Sequence, residues 1–334
     1  MFGEPLTVYL FDLDEPRFQQ PFLAALETWN AGRGAAPDAR PIQLVAAEEP
    51  HEILVAGVAR REQLERGPRL LIIPWSGVPR SVAELLCEFP KIEVHNLHHN
   101  AAPVTEHAIG LLLAAARRMI PADRALRCGD WRPRFGPSDA PLLSGRKVLI
   151  LGAGAIGAGI ARACEGLGMS PTLLASHARP ASADCRWPVL GPDSLDAALA
   201  HAEVLFVCLP LTPSTDGLID SKRLAQLPQG ALLVNVGRGP VVDEAALYEA
   251  LATRHLSGAG LDVWYDYPKG EPARAATLPA RFPFGELDHI VLSPHRAGHG
   301  TDSERLCAEH LMQMLELAAR AEPLPNRVDP RRGY

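Results

Sequence analysis

The sequence predicts an α/β protein that consists of two doubly wound parallel-sheet domains with a cleft between them. Its 334 residues exceed what one hydrophobic core usually supports. Short apolar stretches, typical of buried strands, alternate with longer helix-like stretches in both halves of the chain. A glycine-rich turn joins one of these strands to a helix near the middle. Open sheets of this kind bind ligands at the carboxyl ends of their strands.

The composition is that of an average globular protein, with 47% hydrophobic and 22% charged residues. The net charge is −6 and the basic residues are scattered, so we expect no nucleic-acid partner. The longest apolar run, residues 108–116, is too short to span a bilayer, and acidic residues interrupt the start of the chain, so neither a membrane partner nor an export signal is predicted. The six cysteines are dispersed, which favours a cytoplasmic protein.

The first half of the chain predicts one β/α series. Strand-like and helix-like stretches alternate at residues 7–11, 18–29, 42–46, 52–57 and 70–74. Thr105 and Glu106 open an Ala-rich and Leu-rich helix to about Met119, and we expect the chain to cross between domains near it. The helix predicted over residues 303–320 is expected to return to the first domain.

The second half predicts a further series, with apolar strands at residues 147–151, 172–175, 204–209, 231–236 and 290–293. Before it, residues 129–143 are rich in proline and glycine and include Trp131 and Phe135. This segment predicts an extended arm of the kind that packs on a partner subunit. Together with the apolar helix from Thr105, it leads us to expect a homodimer.

The glycine-rich turn has the pattern of a dinucleotide site. The strand at residues 147–151 runs directly into Gly152-Ala153-Gly154-Ala155-Ile156-Gly157, and a helix follows. In this context Gly152 makes the tight turn, Gly154 lets a pyrophosphate approach the backbone, and Gly157 allows close packing of helix on strand. A glycine-rich turn used only for packing is the less favoured interpretation.

The end of the second strand of the predicted dinucleotide-binding series, at residues 172–175, bears on the choice of coenzyme. An NAD site usually carries an acidic residue there to bind the ribose hydroxyls. Residues 172–179 contain none, and they offer Ser176, His177 and Arg179 to a 2′-phosphate. The cofactor is therefore predicted to be NAD or NADP, with NADP favoured at least equally.

Five motifs in order make the chain resemble the D-isomer-specific 2-hydroxyacid dehydrogenases, which depend on NAD or NADP. They are residues 152–157, Leu209-Pro210-Leu211-Thr212, Val234-Asn235-Val236-Gly237-Arg238-Gly239-Pro240, Leu261-Asp262-Val263 and Ser293-Pro294-His295. The resemblance implies two Rossmann-like domains. Residues 1–100 and 298–334 would form a flavodoxin-like substrate domain, and residues 101–297 would form the dinucleotide-binding domain.

The resemblance also implies roles for particular residues. Arg238 would hold the carboxylate and carbonyl of a small 2-keto acid through its planar guanidinium. His295 would be the acid/base that exchanges a proton with the carbonyl oxygen. Asp262 would meet the nicotinamide carboxamide, Pro210 and Gly237 would line the nicotinamide pocket, and the loop Ser76-Gly77-Val78 would present backbone N–H groups to the substrate carboxylate.

The chain departs from the family at the third catalytic position. A glutamate normally stands before a proline here, and its charge keeps the histidine protonated. This sequence has Tyr267 before Pro268, while Asp266 or Glu271 could serve if the loop carries an insertion. Formate dehydrogenases of the same superfamily are similar at this position, because they have an uncharged glutamine before the proline.

Without a carboxylate partner, we expect the pKa of His295 near the free value of about 6.5, and a carbonyl reduction that weakens between about pH 6 and pH 8.

Two further departures place polar groups near the predicted substrate: the loop His98-His99-Asn100, and Arg296 directly after His295. We hypothesise that His98 or Arg296 strengthens a positive field for an acidic substrate. Adjacent histidines without a matching carboxylate or cysteine cluster rarely bind metal, so no metal site is predicted.

The sequence thus predicts an oxidoreductase that moves a hydride between NAD(P) and a small 2-hydroxy or 2-keto acid, acting as a keto-acid reductase. Two alternatives stay open. One is a dehydrogenase-like regulatory protein that binds NAD(P) with lost or altered catalysis, and the other is a formate-type or phosphite-type dehydrogenase. The loops that would select the substrate, residues 74–79 and 96–103, do not identify it.

Overall fold

The structure is a computed structural model that describes residues 4–11, 13, 16–32, 39–180 and 186–331. The chain divides into two compact units. Residues 1–100 and 299–334 form one, called here the terminal unit, and residues 101–298 form the other, called the central unit. Within the described part of the chain, none of the helices combines the length and the apolar composition that a membrane span requires.

The terminal unit is built on a parallel sheet of order β2-β1-β3-β4-β5 in its described residues. This is the flavodoxin-like order. Its strands are β1 (Leu6–Phe11), β2 (Ile42–Leu44), β3 (Ile53–Ala56), β4 (Leu70–Ile73) and β5 (Glu93–Asn96). Its helices are α1 (Pro16–Ala31), α2 (Arg61–Leu64), α3 (Arg80–Leu86) and α11 (Ser303–Ala319).

Both faces of the terminal sheet are buried, because side chains alternate along each strand. In β4, Leu70 and Ile72 belong to one apolar cluster, while Leu71 and Ile73 belong to another. The first cluster includes buried residues of both α1 and α11, so the last helix packs in the same core as the first strands. Burial of each such Leu or Ile contributes about 1.5–3 kcal/mol.

The central unit has a parallel sheet of order β12-β11-β10-β9-β6-β7-β8 within the described residues. Its strands are β6 (Lys147–Leu151), β7 (Ser170–Leu174), β8 (Val189–Leu190), β9 (Val204–Val207), β10 (Ala231–Asn235), β11 (Leu256–Leu261) and β12 (Ile290–Leu292). Its helices are α4 (Ala101–Ala116), α5 (Met119–Arg127), α6 (Arg132–Phe135), α7 (Ala155–Gly166), α8 (Leu195–Leu199), α9 (Ser221–Gln226) and α10 (Glu244–Ala252). The strand order reverses between β6 and β9, where doubly wound sheets bind ligands. The predicted α/β class with two parallel sheets is confirmed.

The segment before β6 differs from the prediction in two places. The helix expected to reach Met119 ends at Ala116, because Arg118 takes a left-handed backbone (φ 52°) and its guanidinium donates to the carbonyls of Ala115 and Ser257. The expected extended arm contains α6. Asp130 accepts the Arg132 N–H at 3.0 Å, and a proline within its first turn suits a helix start.

Candidate active site

The turn after β6 has the geometry that a dinucleotide requires. Gly152 has φ 114°, a conformation that side chains other than glycine rarely adopt. A Cβ on Gly157 would lie 1.9 Å from the Gly152 carbonyl oxygen, so α7 can approach β6 only with glycine there. A Cβ on Gly154 would meet no described atom within 4 Å, which leaves open space beside that backbone.

The helix α7 begins directly after this space, at Ala155 and Ile156. The first N–H groups of a helix lack partners within the helix, and the helix dipole is positive there. A pyrophosphate beside Gly154 would accept hydrogen bonds from these groups. The residues present therefore fit a dinucleotide.

The end of β7 carries the polar side chains that the sequence singled out. Arg179 Nη2 donates to the Ala153 carbonyl at 3.0 Å, so the guanidinium reaches back to the glycine-rich turn. Ser176 Oγ lies 3.0 Å from His177 Nδ1. All three side chains are exposed, and residues 172–179 supply no carboxylate, so a cation stands beside the turn without an acidic neighbour in this segment.

The ends of β9 and β10 approach each other closely. A Cβ on Gly237 would lie 2.6 Å from the Leu209 carbonyl oxygen, so only glycine fits. Asn235 holds the following turn, because its Oδ1 accepts the Gly237 N–H and its Nδ2 donates to the Arg238 carbonyl, both at 3.1 Å. Pro210 stands at the end of β9, and its carbonyl accepts the Thr215 hydroxyl. This turn fixes the backbone of the arginine that follows.

Arg238 is a partly buried cation without a carboxylate partner among the described residues. Its Nη1 donates to the Gly237 carbonyl at 2.7 Å. Burial lowers its pKa from the ordinary value, while nearby Tyr267 raises it. Arginine nevertheless stays charged at neutral pH. A buried charge without a counterion destabilises a fold, so its retention points to an anionic ligand.

His295 and Tyr267 form a hydrogen-bonded pair, with 2.8 Å between His295 Nδ1 and Tyr267 Oη. Tyr267 Oη also accepts the backbone N–H of Trp264 at 3.2 Å. Burial raises the pKa of Tyr267, and the Arg238 and Asp262 charges act on the same hydroxyl in opposite directions. Tyr267 is therefore an uncharged phenol at neutral pH, and it lies close to both catalytic candidates.

The structure distinguishes the three residues considered for the glutamate position. Tyr267 is the one whose side chain contacts His295. The Asp266 N–H donates to the Pro279 carbonyl at 2.9 Å, and the Asp266 side chain is exposed. The Glu271 side chain is 88% exposed and lies 4.0 Å from Arg274. The insertion reading of the loop is therefore not supported.

Asp262 anchors the loop that carries His295. Its carboxylate accepts the N–H groups of Arg296 at 2.9 Å and Ala297 at 3.0 Å, and it also accepts the Ser293 hydroxyl. His295 itself has a left-handed backbone (φ 52°), which costs energy for a residue other than glycine. The buried carboxylate holds this conformation. A direct contact of Asp262 with nicotinamide stays a prediction.

We expect Asp262→Asn to destabilise the central unit, because one amide donor must face a backbone donor. Loss of one hydrogen bond between the side chain and a backbone N–H should lower the free energy of unfolding by about 1–3 kcal/mol, measured by urea titration. Catalysis that depends on His295 should fall with it, because the His295 loop loses its anchor. Asp266→Asn is the control. The Asp266 carboxylate is exposed and accepts none of the hydrogen bonds that Asp262 accepts, so this change should alter neither quantity. Equal stability of both variants would contradict the anchoring role.

Sequence reasoning missed one participant, His107 on α4. Its Nε2 lies 2.9 Å from Ser293 Oγ and 3.5 Å from Asp262 Oδ1, so it extends the anchoring network. No sequence pattern links it to these residues, because the separation from Ser293 is 186 positions. Only the packing of α4 in the core that covers this face of the sheet brings the two segments together.

The candidate substrate loop Ser76-Gly77-Val78 lies in the terminal unit, after β4. Asn96 Nδ2, at the end of neighbouring β5, donates to the Ser76 carbonyl at 2.7 Å. His98 and His99 follow β5, and burial lowers the pKa of both, that of His99 to about 4, with His310 adding to the effect. These two imidazoles are neutral at pH 7, which argues against a positive field from His98. No group of three or more potential metal ligands occurs among the described residues.

Comparisons with known proteins bear on the family of this chain. Residues 109–297 match the family described as D-isomer specific 2-hydroxyacid dehydrogenase, NAD binding domain. The chain therefore belongs to the D-isomer specific 2-hydroxyacid dehydrogenase family, as the resemblance predicted. A crystal structure of such a protein from Xanthobacter autotrophicus Py2, in complex with NADPH and MES, has a TM-score of 0.74 and 28% identity, and the match covers 99% of this chain and 100% of that chain.

Two curated relatives differ in how much of their length is matched. The chain is 31% identical over 293 residues to D-3-phosphoglycerate dehydrogenase of Mycobacterium bovis, covering 86% of this chain and 52% of that protein. It is 34% identical over 230 residues to glyoxylate reductase of Korarchaeum cryptofilum, covering 67% of this chain and 65% of that protein. The chain thus spans about half the length of the first relative, and a shared activity does not follow from the match alone.

Proposed function

We propose that the protein is an NAD(P)-dependent 2-hydroxyacid dehydrogenase that acts as a reductase of small 2-keto acids. The observation that carries the proposal is Arg238, a cation without a carboxylate partner in the described part of the chain, which lies near Tyr267 of the His295–Tyr267 pair. A 2-keto acid supplies the missing anion and places a carbonyl next to an acid/base. The reductases of glyoxylate and hydroxypyruvate among the relatives act on substrates of this class.

Arg238 binds and polarises the substrate. Its guanidinium offers parallel N–H donors that match a carboxylate and the adjoining carbonyl oxygen. The charge also stabilises the negative charge that develops on that oxygen during reduction. Binding of a carboxylate by the backbone N–H groups of Ser76, Gly77 and Val78 stays a prediction.

His295 moves the proton. Tyr267 Oη has two lone pairs, one of which accepts the Trp264 N–H. The other accepts a hydrogen bond from the Nδ1–H of His295, which leaves Nε2 to give a proton to the carbonyl oxygen and to recover one from solvent. The nicotinamide cofactor, when bound, supplies the hydride. Because Tyr267 is neutral, it orients the imidazole without stabilising its cationic form.

The preferred coenzyme in this proposal is NADP. Arg179 and Ser176 would bind the adenosine 2′-phosphate, because the Arg179 guanidinium reaches the glycine-rich turn and no carboxylate in residues 172–179 would repel the phosphate. Gly152, Gly154, Ala155, Ile156 and Gly157 hold the pyrophosphate, Pro210 and Gly237 line the nicotinamide pocket, and Asp262 meets the carboxamide. The relative from Xanthobacter autotrophicus Py2 was crystallised with NADPH.

We expect Arg179→Ala to weaken NADPH more than NADH. Losing one charge-assisted contact of about 1.5–3 kcal/mol should raise the Kd for NADPH about 10- to 100-fold, measured by coenzyme fluorescence. The Kd for NADH should change less than about threefold, because NADH has no 2′-phosphate for the guanidinium. Arg162→Ala, at an arginine of α7 outside this strand end, serves as the control. An equal loss for both coenzymes would contradict the assignment.

We expect Tyr267→Glu to shift the pH dependence of reduction. A carboxylate next to His295 favours its protonated form, so the pH at which kcat/KM falls to half should rise by about one unit or more. Tyr267→Phe removes the hydroxyl without adding charge and should lower kcat without an alkaline shift. Identical pH profiles for wild type and Tyr267→Glu would exclude coupling between the two residues.

The experiment that tests the function measures oxidation of NADPH and NADH in parallel against glyoxylate, hydroxypyruvate, pyruvate and bulkier 2-keto acids. His295→Ala is the control. Turnover by wild type that the control loses would establish the reductase. Tight coenzyme binding without turnover would favour the regulatory alternative. Reduction of NADP+ or NAD+ by formate or phosphite, without reduction of any 2-keto acid, would favour the formate-type or phosphite-type dehydrogenase.

We also propose that the protein is a cytoplasmic homodimer. Several large apolar side chains in the segment after α4 are exposed, among them Met119, Leu126, Trp131, Phe135 and Leu142. A second copy of the same segment would cover them. The five cysteines in the described residues are all free thiols, as expected in a reducing compartment. Light scattering at micromolar concentration measures the assembly.

A further inference from the structure

Trp264 contacts each of the three segments that carry Arg238, Tyr267 and His295. It follows β11, is buried and belongs to an apolar cluster of the central unit. The ring of Phe284 meets the indole edge to face, with 6.1 Å between the ring centroids. All of these residues belong to the central unit. Packing therefore fixes the indole beside the candidate site.

The indole N–H contacts the segment that leads to His295. Its Nε1 donates to the Ser293 carbonyl at 2.7 Å, and the backbone N–H of His295 donates to the same carbonyl at 3.0 Å. A carbonyl oxygen has two lone pairs, so both acceptor positions are occupied. The direction of this carbonyl sets the peptide plane that precedes Pro294. The indole therefore holds the turn in which His295 has its left-handed backbone.

The backbone of Trp264 contacts the other two segments. Its N–H donates to Tyr267 Oη at 3.2 Å, and a Cβ on Gly239 would lie 2.3 Å from its carbonyl oxygen. Gly239 has no positive φ, so the close approach of Trp264 explains the glycine, and backbone conformation does not. The turn directly after Arg238 therefore packs on the Trp264 backbone.

Ser293 is held from two sides. Its hydroxyl donates to Asp262 and accepts from His107 Nε2 at 2.9 Å, whereas its carbonyl accepts the indole N–H. Asp262 and His107 thus act on the Ser293 side chain, and Trp264 acts on its backbone. Because Trp264 also contacts the Tyr267 hydroxyl, it links the phenol to the turn that carries the imidazole.

We propose that Trp264 is a positioning residue whose indole N–H aligns His295 with Tyr267. This inference rests on the proposed function and adds the residue that orients the acid/base. Without the indole donor, the Ser293 carbonyl keeps one hydrogen bond. The left-handed backbone of His295 can then relax, because such a conformation persists only where its surroundings hold it. Proton transfer slows as a result, while Arg238 still binds the substrate carboxylate.

Trp264→Phe tests this role, because it removes the indole N–H and keeps an aromatic ring against Phe284. It should lower kcat for glyoxylate at least about tenfold, since a misplacement of about 1 Å can cost about 100-fold. KM for glyoxylate and the Kd for NADPH should change less than about threefold, because Arg238 and the dinucleotide turn keep their contacts.

Trp187→Phe is the matched control. It makes the same change at a buried tryptophan that belongs to a different apolar cluster of the central unit. Its kcat should stay within about threefold of wild type, even where its melting temperature falls as far as that of Trp264→Phe. An equal loss of kcat in both variants would mean that any buried tryptophan has this effect, and would contradict the proposal.

A double-mutant cycle separates positioning from a general loss of stability. If Trp264 acts through the pair of His295 and Tyr267, then Tyr267→Phe should lower kcat less in the Trp264→Phe background than in wild type. Effects that simply multiply would contradict the proposal. Gly239→Ala should instead raise KM for glyoxylate, because its methyl displaces the turn that carries Arg238.

The nitrogen-15 NMR signal of His295 Nδ1 in the coenzyme-free protein gives a readout that needs no turnover. His295→Asn assigns the signal. Trp264→Phe should shift it in the same direction as Tyr267→Phe, because both weaken the 2.8 Å contact with Oη, and Trp187→Phe should leave it unchanged. If Trp264→Phe does not fold, as shown by thermal melting, the indole is replaced by benzothiophene, which has sulfur in place of the N–H.

The outcomes separate this inference from the proposed function. If wild type reduces glyoxylate but the folded Trp264 variant keeps its kcat and its Nδ1 signal, the inference is wrong and the reductase assignment stands. If wild type reduces no 2-keto acid with either coenzyme, the proposed function falls. The Nδ1 signal then decides alone, because a shift in the Trp264 variant supports the positioning role and an unchanged signal overturns it.

Discussion

His295→Asn should lower kcat for 2-keto acid reduction by about 10²- to 10⁴-fold, the usual contribution of a positioned acid/base. Asparagine is the sharper choice here because it tolerates the left-handed backbone at this position (φ 52°) better than alanine does. The amide cannot donate a proton at neutral pH. The loss should therefore come from chemistry and not from a collapsed loop.

Coenzyme affinity provides the check on this variant. The dinucleotide turn at residues 152–157 is not changed, so the Kd for NADPH should stay within about twofold of wild type while turnover disappears. A melting temperature like that of wild type would show that the Asp262 anchor still holds the loop. If kcat stayed within about tenfold of wild type, another group must supply the proton and His295 would lose its assigned role.

Arg238→Gln should lower kcat/KM for 2-keto acids by about 10²- to 10⁴-fold, because two charge-assisted hydrogen bonds of about 1.5–3 kcal/mol each are lost. Arg238→Lys keeps the charge but not the planar pair of donors, so it should recover only part of this loss. Steady-state kinetics with glyoxylate, the smallest substrate proposed, measures both variants.

Stability gives an independent reading of Arg238. The side chain is partly buried without a carboxylate partner among the described residues, so it destabilises the ligand-free protein. Arg238→Gln should therefore raise the melting temperature while it removes activity, which is typical of residues kept for function. Asp262→Asn should lower it. A melting temperature that falls for Arg238→Gln would show that the guanidinium has a structural partner instead.

The sequence alone was sufficient for the fold class, the family and the dinucleotide turn. Alternation of short apolar strands with helices requires a parallel sheet covered on both faces. The turn at Gly152, Gly154 and Gly157 depends on contacts between residues close in the chain, so its pattern is visible in one segment. Arg238 and His295 could likewise be predicted as site residues, because each follows a strand within a recognisable motif.

Tertiary structure decided what depends on contacts between distant segments. Whether Tyr267, Asp266 or Glu271 meets His295 is a matter of loop path, and only Tyr267 has its hydroxyl 2.8 Å from the imidazole. Burial lowers the pKa of His98 and His99 and so favours their neutral imidazoles, and no sequence pattern reports this burial. Trp264 and Ser293 lie 29 positions apart and become neighbours because β11 and β12 pair. Local patterns record short-range geometry, whereas pairing, burial and charge state are properties of the assembled core.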